Sequence, residues 1–383
     1  MEQKPRVLVA MSGGVDSSVA AQRLIDAGYD CVGATMILHD GAARGSSGTG
    51  DTRVPAAAPG TESADVAAAR AVAEGLGIPF HVLDCRAAFE RAVVEEFVCA
   101  YERGVTPNPC CICNRHIKFG LLWEKARELG CDLMATGHYA RIVRRTTPDG
   151  HEVPALAKAR DLTKDQSYFL YGIGHEALGH TLFPLGDLTK EGDVRRIARE
   201  RAFANAEKRD SQGICFVPKN DFAAFIERRR GRALPEGEVL DTAGNVLGRH
   251  HGAIRYTVGQ RKGLGIAAAQ PLYVTAIDAA ANTVTLGNEQ ELMAGSLVAG
   301  DWVWTAPADE MEAALDGAGP EGLAVGAKIR YRQDDQAARL ARSGEGRVRI
   351  DFERPQRGIA PGQAVVVYQG DLVLGGGTVL RAG

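Results

Sequence analysis

No apolar run in this chain approaches the roughly 20 residues that a membrane-crossing helix needs, so a helical membrane protein is excluded. Met1-Glu2-Gln3-Lys4-Pro5 carries no apolar stretch before the first strand-like segment, so no secretory leader is expected. The compartment expected is the cytoplasm. The 383 residues carry a net charge of only −3, which does not announce a nucleic-acid binder. A further absence is local. Ala10-Met11-Ser12-Gly13-Gly14-Val15-Asp16-Ser17-Ser18 has the glycines of a phosphate loop but not the Gly-Lys-Ser/Thr of the ordinary ATP loop.

Apolar residues make up 45% and charged residues 24%, the balance of a soluble globular protein, and the length allows two or three domains. Eight cysteines in such a chain are not expected to form a disulfide framework. Cys31, Cys85, Cys99 and Cys131 stand singly in apolar or helical surroundings and read as small buried hydrophobes.

The first half alternates strand and helix. Strands are expected at Arg6–Met11, Cys31–Met36, Phe80–Leu83 and Leu133–Thr136, and helices at Ser17–Ala27, Ala64–Leu76, Arg86–Glu102 and Lys118–Leu129. That spacing implies an α/β domain with a parallel sheet covered on both faces. Residues 40–63 are rich in Gly, Ser, Ala and Pro and read as a surface insertion. After about residue 215, short β-prone pieces lie between glycine turns, with Asp241-Thr-Ala-Gly-Asn245 and Ala280-Ala-Asn282 as hairpin turns. The expected domains are 1–215 (catalytic), 216–290 (small, β-containing) and 291–383 (a C-terminal β-barrel).

Gly13 and Gly14 allow a tight turn that brings backbone N–H groups to an anion. The helix starting near Ser17 aims its positive end at that anion, and Ser12, Ser17 and Ser18 add hydroxyl donors. Asp16 is out of place, since a carboxylate repels phosphate unless it helps hold Mg²⁺.

Thr106-Pro107-Asn108-Pro109-Cys110-Cys111-Ile112-Cys113-Asn114 precedes Arg115, His116 and Lys118. The prolines are expected to hold an extended loop. A cysteine before a helix start and beside basic side chains is expected to have a lowered pKa. Cys215 lies in a second glycine-containing loop among positive charges, Lys208-Arg209-Asp210-Ser211-Gln212-Gly213-Ile214-Cys215. Residues 222–262 hold eight Lys/Arg against four Asp/Glu, though a charge run alone signals only a solvated face.

These motifs stand in one order with Ala-Thr-Gly-His-Tyr (135–139), Lys-Asp-Gln-Ser-Tyr-Phe-Leu (164–170), Gly-Ile-Cys-Phe (213–216), Gly-Gln-Arg-Lys-Gly-Leu-Gly (259–265), Arg-Tyr-Arg-Gln (330–333) and Pro-Gly-Gln (361–363). From residue 6 to about 380 the chain resembles the bacterial tRNA-specific 2-thiouridylase family, within the N-type ATP pyrophosphatases. It departs grossly only at 40–63, and at Cys110, where many members carry Asp.

The resemblance implies a tRNA-uridine 2-sulfurtransferase. ATP adenylates O2 of wobble uridine 34, pyrophosphate leaves, and sulfur displaces AMP. Cys215 would carry the sulfur as a persulfide and Cys113 would act as nucleophile, or form a disulfide with Cys215. Alternatively Cys110, Cys113 and Cys215 would hold a [4Fe–4S] cluster. ATP and Mg²⁺ would be bound at Ala10 to Ser17, with Met36 on the adenine and Gly137 letting the nucleotide approach the backbone. Asn108, Pro109 and Cys110 would surround the target base; His138, Lys164, Asp165, Gln166, Arg330, Tyr331 and Gln363 would contact tRNA. A relay protein would deliver the sulfur to a monomeric enzyme. Two rivals of other classes are an ammonia-using synthetase with the same loop and a non-enzymatic RNA-binding protein.

Overall fold

The computed structural model describes residues 4–39, 63–147, 149–208 and 213–383. The expected insertion at 40–63 lies outside these residues except for Ser63, and so does the stretch from Arg209 to Gln212.

Strands β1 (Arg6–Ala10), β2 (Asp30–Ile37), β3 (Phe80–Asp84) and β4 (Leu133–Ala135) form, with a short later strand, the expected parallel sheet. Val7, Leu8 and Val9 are fully buried. A strand covered by helices on both faces reads as such a continuous apolar run. A hairpin of β5 (Arg141–Thr146) and β6 (Glu152–Ala157) then leaves this sheet, and β7 (Thr181–Leu182) closes it in the order β3-β2-β1-β4-β7. Sequence reading did not separate that hairpin from the parallel domain, because strand propensity does not say which sheet a strand joins.

Two helices lead out of the strands that matter for the site. Helix α1 (Val15–Asp26) follows β1, and α2 (Ala64–Gly75) is capped by Ser63, whose hydroxyl accepts from Val66 N–H at 3.3 Å. The helix over 86–102 is as expected. The next helix differs, running through 109–128 rather than from Lys118. The prolines do not hold an extended loop there. Pro109 occupies the first helical position, where a missing N–H costs nothing and φ is already set. Cys110, Cys111 and Cys113 therefore lie on a helix.

The middle region is a four-stranded sheet of β8 (Gly237–Asp241), β9 (Val246–His250), β10 (Tyr273–Asp278) and β11 (Thr283–Gly287), in the order β10-β11-β8-β9. The Asp241–Asn245 hairpin turn is as read: the Asp241 carboxylate accepts from the N–H groups of Ala243 and Asn245. The helix Phe222–Arg230 packs Phe222, Phe225 and Ile226 on Phe97 and Phe216 of the first domain.

The C-terminal region is a closed barrel. Strands β12 (Met293–Trp304), β13 (Leu323–Lys328), β14 (Gln336–Arg342), β15 (Val348–Arg357), β16 (Ala364–Gln369) and β17 (Leu372–Ala382) pair in the order β12-β15-β14-β13-β16-β17, and β17 returns to β12. Three glycines in β17 make closure possible. A Cβ at Gly375 would lie 2.5 Å from Val303 O, and one at Gly377 2.6 Å from Gly300 O.

The barrel is joined to the first domain by a shared core. Ala364, Val366, Tyr368 and Val373 pack in one cluster with Leu8, Met134, Tyr168 and Tyr171, and the β5–β6 hairpin continues the barrel sheet beside β17. Tyr168 and Tyr368 are both essentially unexposed. Burying side chains of this size contributes about 1.5–3 kcal/mol each, so the shared core ties the barrel to the first domain beside the site.

Candidate active site

The phosphate loop spans the junction of β1 and α1. Met11 N–H donates to Ala34 O at 2.8 Å, and the Thr35 hydroxyl donates to Met11 O, so β2 holds the loop's first residue. Gly13 has φ +69°, and a Cβ there would fall 2.3 Å from Asp65 O at the start of α2. Only glycine fits, so the start of α2 also abuts the loop. Ser12 N–H donates to Ser17 Oγ at 3.1 Å, and Ser17 Oγ donates to Gly14 O at 3.0 Å. These bonds fix the turn ahead of α1, whose first N–H groups have no intrahelical acceptors.

Asp16 resolves differently from the expectation. Its oxygens accept from Lys190 Nζ at 2.7 and 2.8 Å and from Tyr139 Oη at 2.7 Å. The Lys190 side chain is 1% exposed. The carboxylate is neutralised by a buried ammonium, so it does not repel phosphate and its lone pairs are already engaged. That does not fit the Mg²⁺ role considered for Asp16. Two further contacts come from downstream. Asn205 Nδ2 donates to Gly13 O and Ser18 Oγ, and Lys208 Nζ reaches Gly13 O at 3.1 Å and Asp65 Oδ1 at 2.7 Å. Lys190, Asn205 and Lys208 were not selected from sequence. A lone Lys in Leu-Thr-Lys-Glu carries no local signal, and only the fold brings it 174 residues back to the loop.

A Cβ at Gly137 would lie 2.9 Å from the backbone of Asp16 and Ser17, so the space this glycine leaves is taken by the start of α1. Beside it, His138 Nδ1 lies 2.7 Å from Thr136 Oγ1 and Nε2 lies 3.3 Å from Lys118 Nζ. Burial, and then the Lys118 charge, hold its pKa well below the ordinary value. His138 is therefore a neutral imidazole at pH 7.

Cys113 is buried, Cys215 is half-buried, and both belong to one apolar cluster with Ile117, Phe89 and Phe216. Met36 and Leu38, at the end of β2, pack on the same cluster. The strand that pins the phosphate loop thus ends in the cluster that holds the two thiols. Cys111 points elsewhere, into the core shared with the barrel. Cys110 is exposed. All eight cysteines are free thiols.

The expected low thiol pKa is overturned. Burial raises Cys113 to about 11, against the opposing pull of Lys118. Burial raises Cys111 well above the ordinary thiol range; Cys110 is raised too, because protein crowds its thiol although the residue as a whole is exposed, with Lys118 opposing. A helix N-terminus and one ammonium do not offset the loss of water around a thiolate. Among the described residues no group of three or more His, Cys, Asp or Glu side chains is placed to hold a metal ion. The three thiols do not fit a cluster site as they stand, and no step is derived through one. Nor do the four cysteines read as hydrophobes behave alike: Cys31, Cys85 and Cys131 are buried, but the half-buried Cys99 donates to Glu95 Oε1 and accepts from Arg230.

The residues expected to meet tRNA fall into two groups. Lys164 is half-exposed, and Arg330 is exposed while donating to Arg357 O and Gly358 O. The rest are mainly engaged with the protein. The Asp165 carboxylate is 6% exposed and caps Ala159 N–H and Ser167. Gln166 Oε1 accepts from Tyr139 N–H, and Tyr331 packs on Phe169 with ring centroids 4.5 Å apart. Gln363 Nε2 donates to Thr106 O at 2.8 Å, so the Pro-Gly-Gln turn of the barrel braces the chain leading into Asn108, Pro109 and the cysteines. In the basic run, Arg229 and Arg230 pair with Glu90, Glu95 and Glu102 of the 86–102 helix, and Arg255 pairs with Glu227. Arg261 and Lys262 remain exposed on their glycine-flanked loop.

A lysine-free Ser-Gly-Gly-Val-Asp-Ser loop on a parallel sheet, with two thiols in the cluster at the end of the adjacent strand, defines an ATP-using enzyme of the HUP, or pyrophosphate-loop, class. The tRNA methyl transferase HUP domain family matches residues 5–219, the corresponding PRC-barrel domain family residues 223–288, and the aminomethyltransferase β-barrel domain family residues 295–379. The chain is 46% identical to the tRNA-specific 2-thiouridylase MnmA of Moorella thermoacetica, over 97% of this chain and 98% of that one. It is 44% identical to the MnmA of Carboxydothermus hydrogenoformans, over 98% of each. For the MnmA of Symbiobacterium thermophilum the figure is 43%, over 98% of this chain and 92% of that one. The chain belongs to the tRNA-specific 2-thiouridylase family.

Proposed function

We propose that this enzyme converts wobble uridine 34 of tRNA to 2-thiouridine, using ATP and a sulfur atom relayed through Cys215 and Cys113. Uridine O2 attacks the α-phosphorus of ATP. The α–β bridging bond breaks and pyrophosphate leaves into the loop of Ser12 to Ser17, at the start of α1, whose first N–H groups meet the anion while the Ser17 and Ser18 hydroxyls, expected as donors to it, hold Gly14 O instead. The base is now an O2-adenylate. The terminal sulfur of a Cys215 persulfide adds to C2, the C2–O bond breaks, and AMP departs. The Cys113 thiolate then attacks the Cys215 sulfur. The bond between Cys215 and the transferred sulfur breaks, and its electron pair stays with the sulfur on C2 as the thiocarbonyl. A Cys113–Cys215 disulfide remains, to be reduced by a cellular thiol.

The observation that carries this reading is the convergence of Cys113 and Cys215, about a hundred residues apart in sequence, in one cluster with Met36 on the strand that pins the phosphate loop. Asn108, Pro109 and Cys110, at the start of the same helix as Cys113, line the approach of the base. Arg261, Lys262 and Arg330, with the half-exposed Lys164, supply cations for the tRNA backbone. A relay protein donates the persulfide, and the enzyme works as a cytoplasmic monomer.

The test is reconstitution with ATP, unmodified tRNA and a persulfide donor. Pyrophosphate release should depend on tRNA, and 2-thiouridine should form. Cys113→Ser and Cys215→Ser should each release pyrophosphate but make no 2-thiouridine. Normal thiolation by either variant rules out sulfur transfer through these two thiols. Turnover without tRNA on a small substrate and ammonia would point to the synthetase chemistry instead.

A further inference from the structure

The persulfide cycle ends with a disulfide between Cys113 and Cys215, and Cys113 is only 7% exposed. A reductant has no open approach to that sulfur, and the half-buried Cys215 offers only a restricted one. Cys110 stands one helical turn before Cys113 and is exposed. Positions i and i+3 share a helix face, with Cβ atoms roughly 5–6 Å apart. A disulfide needs about 3.5–4.5 Å, so the first turn has to tighten. This turn can do so. It begins at Pro109, which has no N–H to lose, its first bond is a long one from Cys111 N–H to Asn108 O at 3.2 Å, and it runs straight into eight residues of wider π-helix, Asn114–Leu121. Cys111, the remaining thiol of the run, is turned into the barrel-side core and does not compete.

We infer that Cys110 is a catalytic thiol of this enzyme, the exit for the disulfide left by sulfur transfer. This rests on the persulfide reading above. Cys110 thiolate attacks the Cys113 sulfur; the Cys113–Cys215 bond breaks and its electron pair leaves on Cys215. The exchange is redox-neutral. The oxidised pair is now Cys110–Cys113, with one partner on an exposed residue. A dithiol reductant from the cell attacks Cys110, is itself oxidised to a disulfide, and returns both thiols. Cys215 is free for the next persulfide before that reduction occurs. The Cys110-Cys111-Ile112-Cys113 spacing at a helix start is that of dithiol–disulfide oxidoreductases, so the chemistry is within reach of the fold.

The test is one turnover by persulfide-loaded full-length enzyme with ATP and tRNA, without reductant. The reaction is quenched in acid, alkylated and digested with trypsin under non-reducing conditions. The wild type should yield the 104–115 peptide with an internal disulfide, lighter by two hydrogens, and an alkylated Cys215. Cys110→Ser should leave, for each 2-thiouridine it makes, one 104–115 peptide crosslinked to the one carrying Cys215. With dithiothreitol present its steady-state rate should fall roughly tenfold or more, as a buried disulfide is a poor target for exchange. Cys110→Ala and Cys110→Asp should behave the same way. The inference is overturned if the wild type ends with Cys113 joined to Cys215 and Cys110 alkylated, or if Cys110→Ser turns over at the wild-type rate. Wild-type enzyme that makes no 2-thiouridine would instead fail the reading on which it rests.

Discussion

The Asp16–Lys190 pair tests how the loop works without a lysine of its own. The Lys190 side chain is 1% exposed and that of Asp16 is 31% exposed, so the two halves are not equivalent. Asp16→Asn strands an ammonium in the interior. Breaking a buried pair in this way costs about 3–5 kcal/mol. Lys190→Met leaves a carboxylate that water still reaches and that still accepts from Tyr139 at 2.7 Å. Its loss should be near that of one charged hydrogen bond, about 1.5–3 kcal/mol. The double variant removes both charges and should recover to within about 1 kcal/mol of the wild type. At about 2–4 °C per kcal/mol for a domain of this size, thermal melts resolve all four proteins. Asp16→Asn should melt on the order of 10 °C below the wild type, Lys190→Met less, and the double variant above Asp16→Asn. Both single variants should raise KM for ATP, because the loop loses its anchor. Equal losses in the two single variants, adding up in the double, would show that the pair is not coupled and that the asymmetry of burial does not matter.

Burial that raises Cys113 to about 11 makes its reactivity rise with pH: mass-resolved alkylation of Cys113 should accelerate up to pH 10 and beyond, and Lys118→Ala should slow it at pH 8. A rate already level at pH 8 refutes the raised pKa. Lys208 is half-exposed beside the loop, so Lys208→Met should change stability by under about 1 kcal/mol yet raise KM for ATP roughly tenfold, one charge-assisted bond; unchanged ATP kinetics would leave it a surface ion pair. Gly13→Ala must displace the start of α2, since its Cβ falls 2.3 Å from Asp65 O; isothermal titration should detect no ATP binding, and wild-type affinity would mean the turn relaxes freely. tRNA binding should weaken steeply between low and moderate salt, as phosphate contacts require, and Arg261→Ala with Lys262→Ala should flatten that slope; a salt-independent wild type would remove tRNA from the account.

Much of this architecture was legible along the chain. The apolar runs of β1 and β2, the Gly-Gly turn and the Ser-rich helix start are local patterns, and local patterns are what backbone sterics and burial read directly. So are the hairpin turns at Asp241 and Asn282, where an Asx side chain or a left-handed residue is required. The prolines at 107 and 109 misled, because the same residue that breaks a helix interior is welcome at its first position. The thiol pKa values misled for a related reason: neighbouring charges are visible in sequence, but the desolvation that outweighs them is not.

The sequence by itself determined the parallel sheet, the lysine-free phosphate loop and the thiols proposed to carry the sulfur, since these follow from short-range periodicity and residue chemistry. Only the tertiary structure decided that Lys190 neutralises Asp16, that Gln363 of the barrel braces the approach to Cys113, and that Cys113 and Cys215 fall in one cluster while Cys110 is exposed. Each of those is a contact between segments far apart in the chain, and which side of a helix is buried depends on what folds against it.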